Sequence, residues 1–300
     1  MSAIDAKKAE ELEKQAKKQS PWAIARRKLL RNKLAVISLA FLVIVTLLAY
    51  LAPFIAPFDP ARVDIINRNS PPGGDYLLGT DNAGRDIWTS LLYGARTSLT
   101  IGFVCMFAVV TIATVIGSIS GFYGGWVDAI LMRFTDFMMN FPFLVFVIVL
   151  ASIFRDSGIW ALIIVLSVLS WTGAARVVRS KMMTEKENEY VMAAISIGGT
   201  PFKVIRKHLL PNVMTTIIVQ ATLLLAVMIV AETALSFLGF GVPSGTPSWG
   251  NMMQEARQPH VIRGMWWIWV PPGLAITFTI LAINFIGEGI KDAFNPKSLR

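Results

Sequence analysis

Charged residues, cysteine and histidine are scarce in this sequence of 300 residues. Asp, Glu, Lys and Arg together make up 16% of the chain, whereas soluble domains carry about 25%. Hydrophobic residues reach 54%, and the mean hydropathy is +0.58. The single cysteine, Cys105, excludes an intrachain disulfide. This composition excludes an ordinary soluble domain and indicates an integral membrane protein.

Neither a metal site nor a nucleotide site is indicated. The two histidines, His208 and His260, lie on opposite sides of the membrane in the topology below, and no Cys or carboxylate cluster has metal-ligand spacing. Gly79 and Gly84 have the spacing of a phosphate-binding loop, but Arg and Asp follow where Lys and Ser or Thr are required, and no strand pattern precedes them. We expect no catalytic residues and no bound cofactor, so that energy comes from a partner protein.

Long apolar runs predict an all-α polytopic membrane protein. About 20 apolar residues suffice for a helix to cross the hydrocarbon core. The six predicted spans are residues 34–56, 98–122, 137–154, 159–178, 213–238 and 267–288. In the second span and just after it, Gly117, Gly121 and Gly125 recur every four residues and predict the close approach of another helix, the alternative being a flexible helix end. Trp266, Trp267 and Trp269 form an aromatic belt where the sixth span begins.

Positive charge is distributed unevenly, which predicts the orientation. With both termini inside, the inner segments hold 21 Lys and Arg and the outer segments hold 7, as the positive-inside rule requires. The formal charge of +9 therefore needs no nucleic acid partner. The predicted divisions are residues 1–33, a cytoplasmic tail and interfacial helix; 34–97, the first span and an extracytoplasmic loop; 98–290, a core with a cytoplasmic loop at 180–212; and 291–300, a cytoplasmic tail.

The longest polar interruption in the second half of the chain is residues 185–212. Tyr190, Val191, Ala194 and Ile197 give its first part an apolar helical face. Gly198 and Gly199 end this helix, and Thr200 with Pro201 supplies an N-cap followed by proline at the first helical position. The pattern predicts two short helices joined by a glycine hinge, the second ending at Pro211.

The outer segment after the first span is rich in proline and glycine. Within it, Ile87, Trp88, Leu91 and Leu92 form one apolar stripe at helical spacing. This stripe predicts a helix over residues 86–97 that rests on the outer face of the membrane.

Three stretches of this sequence resemble permease subunits of ABC importers. Ala193-Ala194, Gly198 and residues 208–211 resemble the EAA loop of that family, although Met192 stands where the family usually has Glu. LGTDNAGRD at residues 78–86, followed by GARTSL at 94–99, resembles the signature of the C-type permeases of dipeptide, oligopeptide and nickel importers. Residues 235–241 and 248–251 resemble the LSFLGxG and SWGN patterns of the same subfamily.

The resemblance implies the transmembrane fold of a type I ABC importer and a permease that moves peptides by alternating access. The implied ATPase-coupling residues are Tyr190, Ala193, Ala194, Gly198, Gly199, His208, Leu209, Leu210 and Pro211. The implied extracytoplasmic signature is Gly79, Thr80, Asp81, Gly84, Arg85, Asp86, Gly94 and Arg96. The implied partners are a second homologous permease, two ABC ATPase subunits that bind ATP and Mg, an extracytoplasmic solute-binding protein, a peptide substrate and the lipid of a prokaryotic cytoplasmic membrane.

Glu232 in the fifth predicted span, Asn284 in the sixth and Glu288 at the inner end of the sixth are polar candidates in or at the edges of the spans, and Glu288 is interpreted as an interfacial charge. A carboxyl within a span is costly unless it faces protein or water. Glu232 is therefore either a hydrogen-bonded packing residue or, with Asn284, part of the translocation pathway or gate. A nickel-complex importer is the nearest alternative function. An ion-coupled secondary transporter working through Glu232 is the alternative from another class.

Overall fold

The computed structural model describes residues 21–154, 158–243 and 245–294. Helices account for the regular structure in these ranges, where only two isolated β-bridges accompany them. The predicted tail at residues 1–20 and the last six residues lie outside the described ranges. The helices are α1 (Pro21–Arg31), α2 (Lys33–Tyr50), α3 (Ala52–Ile55), α4 (Ile87–Tyr123), α5 (Gly125–Met139), α6 (Phe143–Ile153), α7 (Gly158–Lys186), α8 (Glu189–Ser196), α9 (Pro201–Val204), α10 (Leu210–Leu238), α11 (Trp249–Gln254), α12 (Pro259–Gly264) and α13 (Trp266–Phe294).

Five helical runs are long and apolar enough to cross a membrane: α2, α4, α7, the run Pro201–Leu238 and α13. These runs confirm five of the six predicted spans, although most extend beyond the predicted bounds. The sixth candidate is the pair α5 and α6, which meet at a bend of 80°. The third predicted span, residues 137–154, therefore falls on a pair of helices that is broken between Met139 and Phe143. Pro142 precedes α6, and proline disfavours a helical conformation in the residue before it.

Helix α4 is 37 residues long, or about 55 Å at 1.5 Å per residue. The separate surface helix predicted over residues 86–97 is wrong, because these residues are the first turns of the same helix, and the predicted division between residues 97 and 98 falls inside it. Asp86 caps the helix, since its carboxylate accepts a hydrogen bond from the backbone N–H of Thr89 at 2.7 Å. No proline follows within the helix, so the helix continues into the membrane.

Helix α4 packs along α7 at the glycine positions noted in the sequence. A Cβ atom at Gly117 would lie 2.7 Å from the carbonyl oxygen of Ala175, and one at Gly121 would lie 2.7 Å from Cβ of Met182. The prediction of close helix packing is confirmed at these two positions. It is wrong for Gly125, which begins α5 with φ +52° and has no atom within 4 Å of a built Cβ.

Helix α13 packs against α2 and α10 and closes the other side of the molecule. At its inner end, a Cβ at Gly289 would lie 2.5 Å from Cβ of Ala35. Helix α2 leaves most of its surface exposed, with 17% of its apolar window buried. In a membrane this surface faces lipid or another subunit.

Candidate functional site

Residues 185–212, predicted to form a cytoplasmic loop, have the predicted order of helix, glycine and helix. The N–H of Gly199 donates to the carbonyl of Ala194 at 3.0 Å, the six-to-one bond that ends a helix in a Schellman motif. Gly198 adopts φ +83°, a conformation that favours glycine. A Cβ at Gly198 would meet no atom of this chain within 4 Å, whereas one at Gly199 would lie 2.5 Å from the oxygen of Ala194. The two glycines are therefore required for different reasons, backbone conformation and space.

The second helix of the loop does not end at Pro211, contrary to the sequence prediction. Pro201 begins α9 after Thr200, which occupies the N-cap position without a side-chain hydrogen bond. A π-helical turn, Ile205–Leu209, then leads directly into α10. Pro211, the second residue of α10, has no N–H to donate and follows closely after this π-helical turn, where the regular α-helical hydrogen bonds are interrupted. The loop is thus joined rigidly to the fifth span.

The coupling residues named from the sequence divide into buried and exposed groups. Ala194 and Leu209 are buried, with Val191 and Val204, in the apolar cluster below the loop. Tyr190, Ala193 and Pro211 are exposed, and His208 and Leu210 are half-buried. Leu209 therefore has a packing role within this chain, and the exposed residues are the ones that a partner could reach.

An apolar surface remains on the two short helices. Ile197 is 87% exposed and Phe202 is 72% exposed. We call the set Met192, Ile195, Ile197 and Phe202 the inner patch; all four are exposed. Lys203, Arg206 and Lys207 are exposed beside it. Large apolar side chains in a polar surrounding are typical of a protein interface.

Tyr190 links α8 to both flanking helices. Its hydroxyl donates to Oε2 of Glu185 at 3.2 Å and accepts from Nδ2 of Asn212 at 3.0 Å. Burial and the neighbouring Glu185 raise the pKa of the Tyr190 hydroxyl above its ordinary value. The tyrosine therefore stays neutral and holds α8 between α7 and α10.

The extracytoplasmic signature folds into a tight turn that requires glycine. Gly79 and Gly84 have φ of +77° and +79°, and a Cβ at Gly84 would lie 1.8 Å from the carbonyl oxygen of Asp64. Oδ1 of Asp81 accepts hydrogen bonds from the backbone N–H groups of Ala83 and Arg85, both at 2.8 Å. The carboxylate thus satisfies the donors of the turn.

The rest of the signature connects this turn to other elements. Oγ1 of the fully buried Thr80 accepts from the N–H of Ser70 at 2.9 Å. A Cβ at Gly94 would lie 3.2 Å from the backbone N of Trp249. The exposed guanidinium of Arg96 lies over the ring of Tyr50, 5.8 Å from its centroid. The signature residues therefore build the turn and pack α4 against Trp249 and Tyr50.

Two outer segments meet at what we call the outer junction, formed by residues 79–86 and 248–258. The N–H of Asn82 donates to Oε2 of Glu255 at 3.2 Å, and Nε1 of Trp267 donates to the carbonyl of Thr80 at 3.3 Å. A cavity of about 160 Å³ lies beside this contact, lined in part by Asp81, Arg85 and Glu255. Burial and the neighbouring Asp81 raise the pKa of Glu255 to about 7, and burial raises the pKa of Asp81.

Glu232 is fully buried in α10. Oε2 of Glu232 accepts from the hydroxyl of Ser98 at 2.9 Å, and Oε1 accepts from the hydroxyl of Ser236 at 2.8 Å. These contacts support the hydrogen-bonded alternative for Glu232. Asn284 is half-buried on α13, and its role in translocation stays a prediction.

Several functional candidates were not singled out from the sequence. Ser98 and Ser236 lie inside the stretches that resemble the permease motifs. Ser98 and its hydrogen-bond partner Glu232 are 134 residues apart, and no sequence pattern indicates that they meet. No motif or periodicity in the sequence singles out Glu255. Within the described ranges, no group of three or more His, Cys, Asp and Glu side chains is arranged to hold a metal ion.

The arrangement of the long helices identifies the class of protein by comparison with solved structures. The fold matches a chain of the MetNI methionine ABC transporter, solved in inward-facing conformations, with a TM-score of 0.55. The match covers 70% of this chain and 97% of that chain at 19% identity, so it shows the fold alone, which confirms the predicted type I transmembrane architecture.

The sequence comparisons then identify the family. Residues 113–300 match the model of the binding-protein-dependent transport system inner membrane component, and residues 20–72 match the N-terminal TM domain of oligopeptide transport permease C. This chain belongs to the family of binding-protein-dependent transport system inner membrane components. It is 38% identical to the dipeptide transport system permease protein DppC of Bacillus subtilis, over 94% of this chain and 86% of that protein. It is 40% identical to the oligopeptide transport system permease protein OppC of Lactococcus lactis subsp. lactis, over 89% and 91%.

Proposed function

We propose that this chain is a permease subunit of an ABC importer that carries peptides across the cytoplasmic membrane of a prokaryote. The relatives named above are dipeptide and oligopeptide permeases that align along nearly their whole length. Those names support peptides over nickel complexes. The full burial of Glu232 argues against the ion-coupled secondary transporter.

The inner patch carries the mechanistic part of the proposal. We infer that the inner patch of each of two permease subunits binds one of two ATPase subunits. The ATPase subunits hold ATP and Mg. Because α9 continues through the π-helical turn into α10, a displacement of the patch by a closing ATPase would move the fifth span directly. A solute-binding protein would deliver the peptide at the outer surface, and a second homologous permease would complete the pathway.

Charge substitutions in the inner patch test this assignment. Ile197→Asp and Phe202→Asp should each reduce recovery of the ATPase subunits with the permease about tenfold or more, because apolar anchors at the centre of an interface commonly contribute 2 kcal/mol or more. The readout is co-purification of the complex in mild detergent, followed by ATP-dependent uptake of labelled peptide into proteoliposomes.

Ile66→Asp is the matched control, since Ile66 is 94% exposed in the loop predicted to lie outside. It should retain the ATPase subunits. Normal recovery of ATPase with both inner-patch variants would reject the coupling role. Intact complexes that hydrolyse ATP but take up no peptide would instead reject the substrate class.

A further inference from the structure

The hydroxyls around Glu232 have a fixed hydrogen-bond direction. Ser98 and Ser236 each donate their only hydroxyl hydrogen to the Glu232 carboxyl. Each also accepts a hydrogen bond from a backbone N–H of the segment that follows α10. Ser98 accepts from the N–H of Trp249 at 3.2 Å, and Ser236 accepts from the N–H of Val242 at 3.1 Å. A third hydroxyl, that of Ser248, lies beside the same carboxyl. Glu232 is thus the common acceptor that orients the serines toward the backbone N–H groups of Val242 and Trp249.

Tight packing surrounds this network. A Cβ at Gly241 would lie 2.1 Å from Oγ of Ser236, and a Cβ at Gly250 would lie 2.5 Å from Cβ of the same serine. The indole Nε1 of Trp249 donates to the carbonyl of Leu91 on α4 at 3.2 Å. Two glycines and a buried tryptophan therefore seal the segment against α4 and α10.

We infer that Glu232 is a positioning residue that locks residues 239–243 and 245–254 onto α4 and α10, so that these parts move as one body during transport. The proposal rests on the proposed import function for its transport readout. It needs no contact between Glu232 and the substrate, because the carboxyl is enclosed by this chain. Its action passes through Ser98 and Ser236 to the backbone of the outer segment.

Glu232→Gln is the sharpest variant, because it keeps the shape but replaces one acceptor oxygen with an NH₂ donor. One serine then has no acceptor for its hydroxyl hydrogen. Ser98→Ala breaks the same network from α4 and serves as the second variant. Ser118→Ala is the matched control, since Ser118 is also a buried serine on α4 and its hydroxyl has no partner in the described structure.

The position of the segment can be followed with a cysteine at Val242, which is 5% exposed. All variants carry Cys105→Ala and are assembled as the complete complex in proteoliposomes. Val242→Cys should resist a hydrophilic thiol reagent equally with and without nucleotide. Adding Glu232→Gln or Ser98→Ala should accelerate labelling about fivefold or more, the factor that corresponds to one net hydrogen bond, and peptide uptake should fall while the ATPase subunits remain bound.

Several results would overturn the inference. Unchanged labelling with lost uptake would mean that Glu232 acts on the substrate and not through the segment. Faster labelling with normal uptake would mean that the lock does not matter for transport. Nucleotide-dependent labelling in the parent Val242→Cys complex would show that the segment moves separately. Failure of the import function itself is distinguishable, because the labelling result does not depend on the solute.

Discussion

The carboxyl groups of Glu255 and Asp81 face each other at the outer junction, with Arg85 as the neighbouring positive charge. The pKa of Glu255 is raised from 4.5 to about 7 by burial and by Asp81. A group whose pKa is higher in the folded state than in the unfolded state contributes its full stabilisation when the pH is below its unfolded-state pKa. This contribution is lost as the pH rises to its folded-state pKa. The outer junction is therefore most stable below about pH 4.5 with respect to this group, and weakens up to about pH 7.

Glu255→Gln should remove this pH dependence, because a neutral amide cannot titrate. We expect the wild-type complex to lose thermal stability between pH 5 and pH 8 relative to the Glu255→Gln complex, measured as the Tm of each in detergent at both pH values. Comparing the two chains cancels the groups that titrate elsewhere. An identical pH response in the two chains would contradict the raised pKa of Glu255.

Helix packing between α4 and α7 is decided at single glycines. Gly117 has no room for a side chain against Ala175 and Val178, whereas Gly173 on α7 is an exposed helical glycine with no atom within 4 Å of a built Cβ. Gly117 and Gly173 are therefore matched test positions on the two packed helices. Space limits the side chain that Gly117 can be replaced by, whereas helix propensity alone decides the effect of a substitution at Gly173.

Gly117→Ala should destabilise the chain by about 1–3 kcal/mol, the usual cost of overpacking a close contact. Gly173→Ala should be neutral or stabilising by up to about 1 kcal/mol, because alanine is the better helix former. Thermal unfolding of the two purified variants measures the difference. Equal stability of the two variants would mean that α4 and α7 are not in close contact at Gly117.

The orientation of the whole chain is predicted from the distribution of positive charge, and the structure supplies better probes for testing it than the motifs do. Thr80, although it lies in the outer signature, is fully buried and holds the turn, so it cannot report on topology. Ile66 and Ile197 are 94% and 87% exposed at the two ends of the molecule. The native Cys105 has no exposed surface and should stay silent.

Ile66→Cys should therefore react with a membrane-impermeant thiol reagent in intact cells, and Ile197→Cys should react only after the cells are opened and the ATPase subunits that we propose cover it are removed. The physical reason is the bias of Lys and Arg toward the segments placed inside. Labelling is measured by a mass shift of the purified chain, with the unsubstituted chain as control. Reaction of Ile197→Cys in intact cells would invert the topology and remove the basis for ATPase coupling.

The amino-acid sequence by itself determined the membrane class, five of the spans and the glycine hinge at Gly198. These features depend on local properties, namely the length of apolar runs and the φ value that glycine permits. The resemblance of residues 78–99 and 193–211 to permease motifs pointed to the family that the relatives then showed.

The tertiary structure alone decided how these parts are joined. The apolar stripe at residues 87–92 is the beginning of α4, and the helix that starts at Pro201 continues past Pro211 into α10. Helices α5 and α6 meet at a bend of 80°. The tertiary structure also placed Glu232 among serines and backbone groups, where the sequence left a gate and a packing residue equally open. The reason is that hydrogen-bond partners such as Ser98 and Glu232 are 134 residues apart. Periodicity records which residues are apolar, but not which distant polar groups meet when the helices pack.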